Sequence, residues 1–265
     1  MKRIASADNP KYKSLLKLAQ NTRARKRQDK ALLDGVHLIE SYRDHRVKPE
    51  LIAISDSGLE NPEIQRLLQS LKPLEPIVLG DGLFKRLSTV ETPTGIVAVI
   101  AKPEPTMLKQ TETCILLEDI QDAGNLGSIL RSAAAAGVKE VFLSPNSVDA
   151  WSPRVLRAGM GAHFLLNIHE DSDLIAVTRG FKGRVLAATQ KASKSLFDAD
   201  LRGAVAFVFG NEGGGLSENL AKAANQAIVI PMARGTESLN LAASAAICLF
   251  EWVRQNGKTI KGGPG

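Results

Sequence analysis

Three stretches of the 265-residue chain concentrate side chains that can hold and orient a polar ligand: EDIQDAGNLGSILRSAAAAG at 118–137, VFGNEGGGL at 208–216 and IVIPMARGTESLNLAASAAI at 228–247. In the first, an apolar run ends in acidic and small residues, and a helix is expected to begin near Asn125. That helix would bury Leu126, Ile129, Leu130 and Ala133 and leave Ser128, Arg131 and Ser132 on another face. Its first turn offers free N–H groups and a positive dipole end, and Arg131 adds a planar fork of donors, a combination that suits phosphate or carboxylate. In the second stretch, Gly210, Gly213, Gly214 and Gly215 surround Glu212 after an apolar strand. Such glycines let a backbone approach a ligand or turn with positive φ. In the third, a strand ends at Pro231, a polar loop follows, and Ser238 and Asn240 open the last helix. Taken singly, each stretch is equally an ordinary feature: a capped helix with a surface arginine, a sharp strand-to-helix turn, a helix cap. Three of them in one domain point to a shared ligand site.

The surrounding elements place all three loops at strand ends, where open α/β sheets bind ligands. Near-continuous apolar runs predict strands at 114–117, 140–143, 164–168, 185–189, 205–210 and 227–231, as for parallel strands covered on both faces. Helices are expected at 126–136, 153–158, 174–180, 217–224 and 239–255, the last with apolar residues at helical spacing. Before them, KPEPTMLKQTET at 102–112 and just beyond breaks the rhythm and reads as a linker. Residues 1–101 form a smaller α/β domain, opening with one basic helix over 9–28. A helical pattern follows through LLDGVHLIESY, then strands at 51–54, 76–79 and 95–101 and a helix at 62–71. The second domain is expected over 113–258, with a disordered tail at 259–265.

Charge separates the two halves. The formal net charge is +6, but residues 1–48 alone hold 13 Lys and Arg against 5 Asp and Glu, a net +8. A basic arm on a near-neutral body suits a polyanionic partner, although a solvated basic helix face would look the same. Cys114 and Cys248 lie among apolar residues without a CxxC or Cys/His pattern, as buried thiols in a reducing compartment do. His37, His45, His163 and His169 lack metal-ligand spacing. No signal-peptide run and no stretch of about 20 apolar residues occurs, so the expectation is a cytoplasmic protein with no membrane span and no metal. A phosphate-loop NTPase would need Gly-Lys-Ser/Thr after its glycines, and no G-x-G-x-x-G is present for a dinucleotide fold.

In this order and spacing the three stretches resemble the SpoU/TrmH family of the SPOUT methyltransferase superfamily. Its first motif, Asn-x-Gly-x-Ile-x-Arg, is matched by Asn125, Gly127, Ile129 and Arg131. The second is matched by Phe209, Gly210, Glu212, Gly215 and Leu216, and the third by Ile230, Pro231, Met232 and then Glu237, Ser238, Leu239 and Asn240. LLDGVHLIESY and LSTVETPTGIVAVI resemble the substrate-binding extension that precedes the catalytic domain in the family. Three departures stand out: Asp34 where Glu is usual, Ala123 for a frequent proline, and Asn-Leu-Ala for Asn-Val-Ser at the last helix.

The resemblance implies an α/β fold with a deep trefoil knot, S-adenosylmethionine as cofactor, an RNA substrate and a homodimer with its site near the subunit boundary. It carries Gly210, Ile230 and Leu239 over as cofactor contacts, with Thr189 and Met232 as further candidates. It carries Asn125, Arg131, Glu212, Ser238 and Asn240 over as catalytic. The implied reaction is methyl transfer to a ribose 2'-hydroxyl. A guanidinium is a poor base, so Arg131 is expected to grip the phosphate beside the target ribose while Glu212 orients Asn125 and Arg131. The additional first domain favours rRNA over tRNA by analogy. The alternatives are a tRNA ribose methyltransferase, a methyltransferase acting on a base nitrogen, and a non-catalytic RNA-binding or ribosome-assembly factor on the same fold.

Overall fold

The computed structural model describes residues 1–45, 48–88, 90, 92–106 and 111–257. The chain divides into two units, one of residues 1–104 and 149–164, the other of 105–148 and 165–265. The tail expected to be disordered, 259–265, lies outside the described residues, as does 107–110 of the expected linker.

The first unit begins with β1 (Lys2–Ile4), α1 (Pro10–Gln20), α2 (Thr22–Gln28), β2 (Lys30–Asp34), α3 (Val36–Asp44) and β3 (Leu51–Ser55). It continues with α4 (Pro62–Ser70), β4 (Ile77–Leu79), α5 (Asp81–Lys85) and β5 (Ile96–Ala101). The sheet order is β1-β4-β3-β5-β2, with β1, β4 and β3 parallel and β5 antiparallel to both neighbours. Tyr12, Leu15 and Leu18 of α1 pack with Leu32, Ile77, Leu79, Phe84 and Val97 into its core. The single basic helix expected over 9–28 is two helices. Asn21 has extended backbone, ends α1 and caps α2 by accepting from the Ala24 N–H. The expected helix through LLDGVHLIESY is also two elements. Leu32 and Leu33 lie in β2, fully buried against β5, and only after Gly35, at φ +103°, does α3 start.

The second unit opens with β6 (Cys114–Leu117), α6 (Ala123–Ala136) and β7 (Glu140–Leu143). The chain then enters the first unit for residues 149–164, which carry α7 (Pro153–Gly159). There Asp149 meets Arg25 in a buried ion pair, Oδ2 to Nε 2.6 Å. The remaining Arg25 donors go to Leu18 O, Ala19 O and Thr22 Oγ1. One charge of the basic arm is therefore structural rather than offered to a partner. The chain returns as β8 (Asn167–His169), α8 (Leu174–Gly180), β9 (Arg184–Ala188), β10 (Val205–Phe209), α9 (Glu218–Ala223), β11 (Gln226–Ile228) and α10 (Leu241–Gln255). The strand expected over 164–168 begins only at Asn167, because Ala162–Leu165 is a 3-10 turn.

The second sheet has order β11-β9-β10-β6-β7-β8, and every pairing between its strands is parallel. Cys114, Leu116, Val185, Ala206 and Val208 form one face with Leu174 of α8 and Leu220 of α9. Alternation sends Ile115, Leu117, Phe207 and Phe209 to the other face, where α10 packs on β10 and α6. A mostly parallel sheet with helices on both faces, preceded by a smaller α/β unit, is the architecture expected from the sequence. Both cysteines are buried and free, and burial pushes the Cys248 thiol up to about 12.

Candidate active site

Because β6, β9, β10 and β11 run parallel, their carboxyl ends lie along one edge of the sheet. The loops that leave this edge hold all three motif stretches. The α6 helix starts two residues earlier than expected, at Ala123, with Asp122 as its cap. The Asp122 carboxylate accepts the Asn125 N–H at 2.7 Å. Ala123 occupies the first helical position, where proline and alanine are both acceptable, so this departure from the family pattern leaves the helix start intact.

Three residues from three distant stretches form one hydrogen-bonded chain. Glu212 Oε1 accepts from Asn125 Nδ2 at 3.2 Å, and Asn125 Oδ1 accepts from Asn240 Nδ2 at 2.8 Å. Asn240 in turn caps α10, its Oδ1 accepting the Ala243 N–H. A carboxylate only accepts, so it fixes which way each amide points and leaves one N–H of each amide for a ligand. Glu212 also receives the Gln121 and Asp122 N–H groups at 3.3 and 3.2 Å. Burial pushes the Glu212 carboxyl up, but hydrogen bonds from its own backbone N–H, Asn125, Gln121 and Asp122 outweigh it. The group sits below the usual glutamate range.

The loop that carries Glu212 is braced by its own residues. A Cβ on Gly210 would lie 2.2 Å from Gly215 C and 2.3 Å from Leu216 N. Only glycine allows the loop to close on itself there. Asn211 holds the turn: its backbone exchanges hydrogen bonds with Gly215, and its Oδ1 accepts from the Gly213 and Gly214 N–H groups. Its Nδ2 donates to Asp119 O at 2.7 Å, which ties this loop to the one after β6. Glu118 makes a second tie by accepting from Ser217 N and Oγ at the start of α9. Asp122, Asn211 and Glu118 were absent from the sequence-based candidates. Asp122 could have been found from its spacing three residues before Asn125, a cap pattern. The other two carry no such signal.

Of the expected site residues, Asn125, Glu212 and Asn240 meet directly. Arg131 lies six residues further along α6, about 9 Å of axial rise. It is exposed, without a hydrogen-bond or ion-pair partner among the described residues, and Glu212 does not hold it. Ser238 is exposed and also unpartnered among the described residues. Thr189 N–H donates to Ile228 O, which joins the ends of β9 and β11 and sets Thr189 beside the strand that leads to Ile230. Ile230 and Met232 are half-buried, and Leu239 is exposed beside the Asn240 cap. Half-buried aliphatic side chains along an exposed loop backbone form the surface that an adenosine needs: an apolar wall with backbone hydrogen-bonding groups at its margin. The residues present therefore fit S-adenosylmethionine. Among the described residues no group of three or more His, Cys, Asp and Glu is placed to hold a metal ion, and no helix is long and apolar enough to cross a membrane.

A parallel sheet whose strand-end loops gather an Asn–Asn–Glu chain beside an apolar-walled loop defines a ligand-binding α/β unit. The chain belongs to the SpoU rRNA Methylase family, whose model matches residues 112–250, and residues 9–98 match the MRM3-like substrate binding domain. The resemblance read from the three motifs is borne out. The chain is 33% identical over 262 residues to an uncharacterized tRNA/rRNA methyltransferase of Synechocystis, covering 95% of this chain and 93% of that protein. It is 28% identical to the 23S rRNA (guanosine(2553)-2'-O)-methyltransferase RlmP of Bacillus subtilis, over 94% of this chain and 98% of the relative. Among solved structures, the AdoMet-bound rRNA methyltransferase of Sinorhizobium meliloti superposes with a TM-score of 0.82 at 26% identity, covering 96% and 97% of the two chains.

Proposed function

We propose that this chain transfers a methyl group from S-adenosylmethionine to a ribose 2'-hydroxyl of rRNA. The observation that carries this reading is the Glu212–Asn125–Asn240 chain, which joins residues up to 115 positions apart. The names of the relatives supply the substrate class, rRNA, and the position, 2'-O.

In this reading Thr189, Gly210, Ile230, Met232 and Leu239 hold the cofactor, Gly210 through the tight turn it permits and the others through backbone and aliphatic walls. The bound cofactor supplies an electrophilic methyl on a sulfonium. The chain's task is to bring the 2'-oxygen in line with that methyl and to manage its proton. The Asn125 and Asn240 amides, locked by Glu212, each keep one N–H that can hold the ribose oxygen. Arg131 stays protonated and grips the phosphate beside the target ribose, stabilising negative charge as the 2'-hydroxyl loses its proton to that phosphate or to water. Ser238 hydrogen-bonds ribose or cofactor from the loop before α10.

The first unit supplies non-specific grip on RNA through exposed lysines and arginines of α1 and α2, with Arg25 excluded by its burial. A homodimer is part of the same reading. It is supported by Phe250, which stands 45% exposed on α10 next to partly exposed Ala246 and Ile247. The reading also takes in the trefoil knot that the family resemblance implies, and the cytoplasmic location and lack of a metal requirement expected from the sequence. The domain limits 1–101 and 113–258 and the linker 102–112, read from the break in the sequence pattern, are kept in the same proposal.

The test is transfer of label from S-adenosylmethionine to unmodified 23S rRNA and tRNA transcripts, with Arg131→Lys as control. Label is expected on rRNA, with near-normal RNA binding and most turnover lost in the variant. Label on tRNA alone would favour the tRNA alternative. Failure to bind S-adenosylmethionine would favour the non-catalytic one.

A further inference from the structure

Between β9 and β10 the chain makes a long excursion, TQKASKSLFDADLRGA, that none of the family motifs occupies. It is built rather than loose. Leu196 N–H donates to Val229 O, and Val229 N–H donates to Lys194 O, so residues 194–196 run alongside the strand end that leads to Ile230. Ser195 caps the 3-10 turn Leu196–Asp198, its Oγ accepting the Phe197 N–H. The return is pinned to the end of α10, where Gln255 bonds Ala199 O and Leu201 N, and Asn256 bonds Leu201 O. On this fixed turn Leu196 is fully buried, while the neighbouring Phe197 stands 53% exposed. The braced turn thus presents one half-exposed aromatic ring at a fixed place on the surface.

The charges around it narrow what the ring meets. Lys191 and Lys194 are exposed and have no ion-pair partner among the described residues. Asp200 is taken up by Arg184 and Arg202. Asp198, beside the ring, is exposed and would repel a phosphate there. A π face next to a carboxylate, preceded by two free ammonium groups, matches an unpaired base on the ring with its backbone phosphates on the lysines. Phe197 is two residues from Ser195, which pairs with Val229, and two residues span at most about 7 Å. The Phe197 backbone therefore lies within roughly 15 Å of the Ile230 strand end.

We infer that Phe197, with Lys191 and Lys194, is a nucleotide-capture element of the catalytic unit: the ring stacks on an unpaired base of the substrate RNA and the two lysines hold its phosphates. This rests on the reading of the chain as an RNA methyltransferase. RNA splayed for ribose methylation has unstacked bases, and stacking on an aromatic ring compensates their exposure without demanding a particular sequence.

The experiment measures binding of the full chain to an unmodified 23S rRNA transcript across a salt series, with S-adenosylmethionine affinity and sedimentation alongside. Phe197→Ala should weaken RNA binding about 5- to 150-fold, the range for loss of one base–aromatic stack, without changing the salt slope. Phe197→Trp should bind as well as the native chain, whereas Phe197→Leu, equally apolar but without a π face, should behave like Ala. Lys191→Ala or Lys194→Ala should each lower the slope of log affinity against log salt by about 0.7. Cofactor affinity should stay unchanged in all five variants. RNA affinity of Phe197→Ala within twofold of native overturns the inference and leaves the functional reading standing. A dimer that dissociates in Phe197→Ala would assign the ring to a subunit contact instead and also overturns it. A native chain that binds no RNA overturns the functional reading and this inference together.

Discussion

Glu212 fixes the amide chain, and replacing it should separate positioning from binding. Its Oε1 accepts from Asp122 N and Asn125 Nδ2, and its Oε2 accepts from Gln121 N. A glutamine that keeps its oxygen on the first two turns its NH2 toward the Gln121 N–H, donor against donor. A hydrogen bond to a charged group contributes about 1.5–3 kcal/mol when buried. Glu212 is exposed, so the lower part of that range applies. Glu212→Gln should then cost about 1–2 kcal/mol, or about 5- to 30-fold in kcat/KM. Glu212→Ala removes all three bonds and frees the Asn125 amide to turn over, for about 3 kcal/mol and a loss near 100-fold. The assay is steady-state methylation of unmodified rRNA with labelled cofactor, beside calorimetric titration of S-adenosylmethionine. The loss should fall on kcat, with cofactor affinity nearly unchanged, because the amides and not the cofactor loops lose their anchor. The sign of the pKa shift adds a second reading. The folded carboxyl lies below its ordinary value, so its contribution is present above about pH 4.5 and is lost as pH falls through the depressed value. The ratio of native to Glu212→Gln activity should therefore stay level from pH 8 to pH 5. A folded Glu212→Ala variant within threefold of native kcat/KM would refute this reasoning.

Three further outcomes follow from the packing. Gly210→Ala should abolish closure of the 210–216 loop, since its Cβ would meet Gly215 at 2.2 Å, and should weaken cofactor binding more than tenfold; calorimetric affinity near native would contradict it. Arg25→Ala strands the buried Asp149 carboxylate and should destabilise the chain by about 3–5 kcal/mol in urea unfolding, whereas the double change Arg25→Met, Asp149→Leu should recover most of that; a single-variant loss under 1 kcal/mol would show the pair to be solvated. His163 is completely buried and burial pushes its imidazole down to about 4, so the unfolded chain binds the extra proton first. Stability should be full above about pH 6.5 and fall by up to about 3 kcal/mol as pH drops toward 4, a decline that His163→Leu should reduce.

The second unit was legible because its central strands are mostly apolar runs, CILL in β6 and VAFVF in β10. The strands Cys114–Leu117 and Glu140–Leu143 and the helix Leu174–Gly180 fall where the pattern places them. Its site was legible in residue type, since Asn125, Glu212 and Asn240 were singled out from strand-end loops and meet in space. What the pattern could not show was that Arg131 stands clear of that chain, because spacing on a helix gives the face and not the partner. Short or charged elements were also hidden. β1 reads Lys-Arg-Ile with two exposed residues, an edge strand without alternation to betray it. Leu32 and Leu33 fit a helix as well as a strand, and only pairing with β5 decides between them. Arg25 sits in a run of cations that reads as solvated, and its partner Asp149 is 124 residues away. Nothing local marks residues 149–164 as part of the first unit's core.

The most direct measurement is a map of alkali-resistant linkages in unmodified 23S rRNA after incubation with the purified chain and S-adenosylmethionine. A 2'-O-methyl removes the nucleophile that alkali uses to cut the chain, so a single new resistant linkage, absent with Arg131→Lys, is expected. Label incorporated without any resistant linkage would place the methyl on a base and contradict ribose methylation.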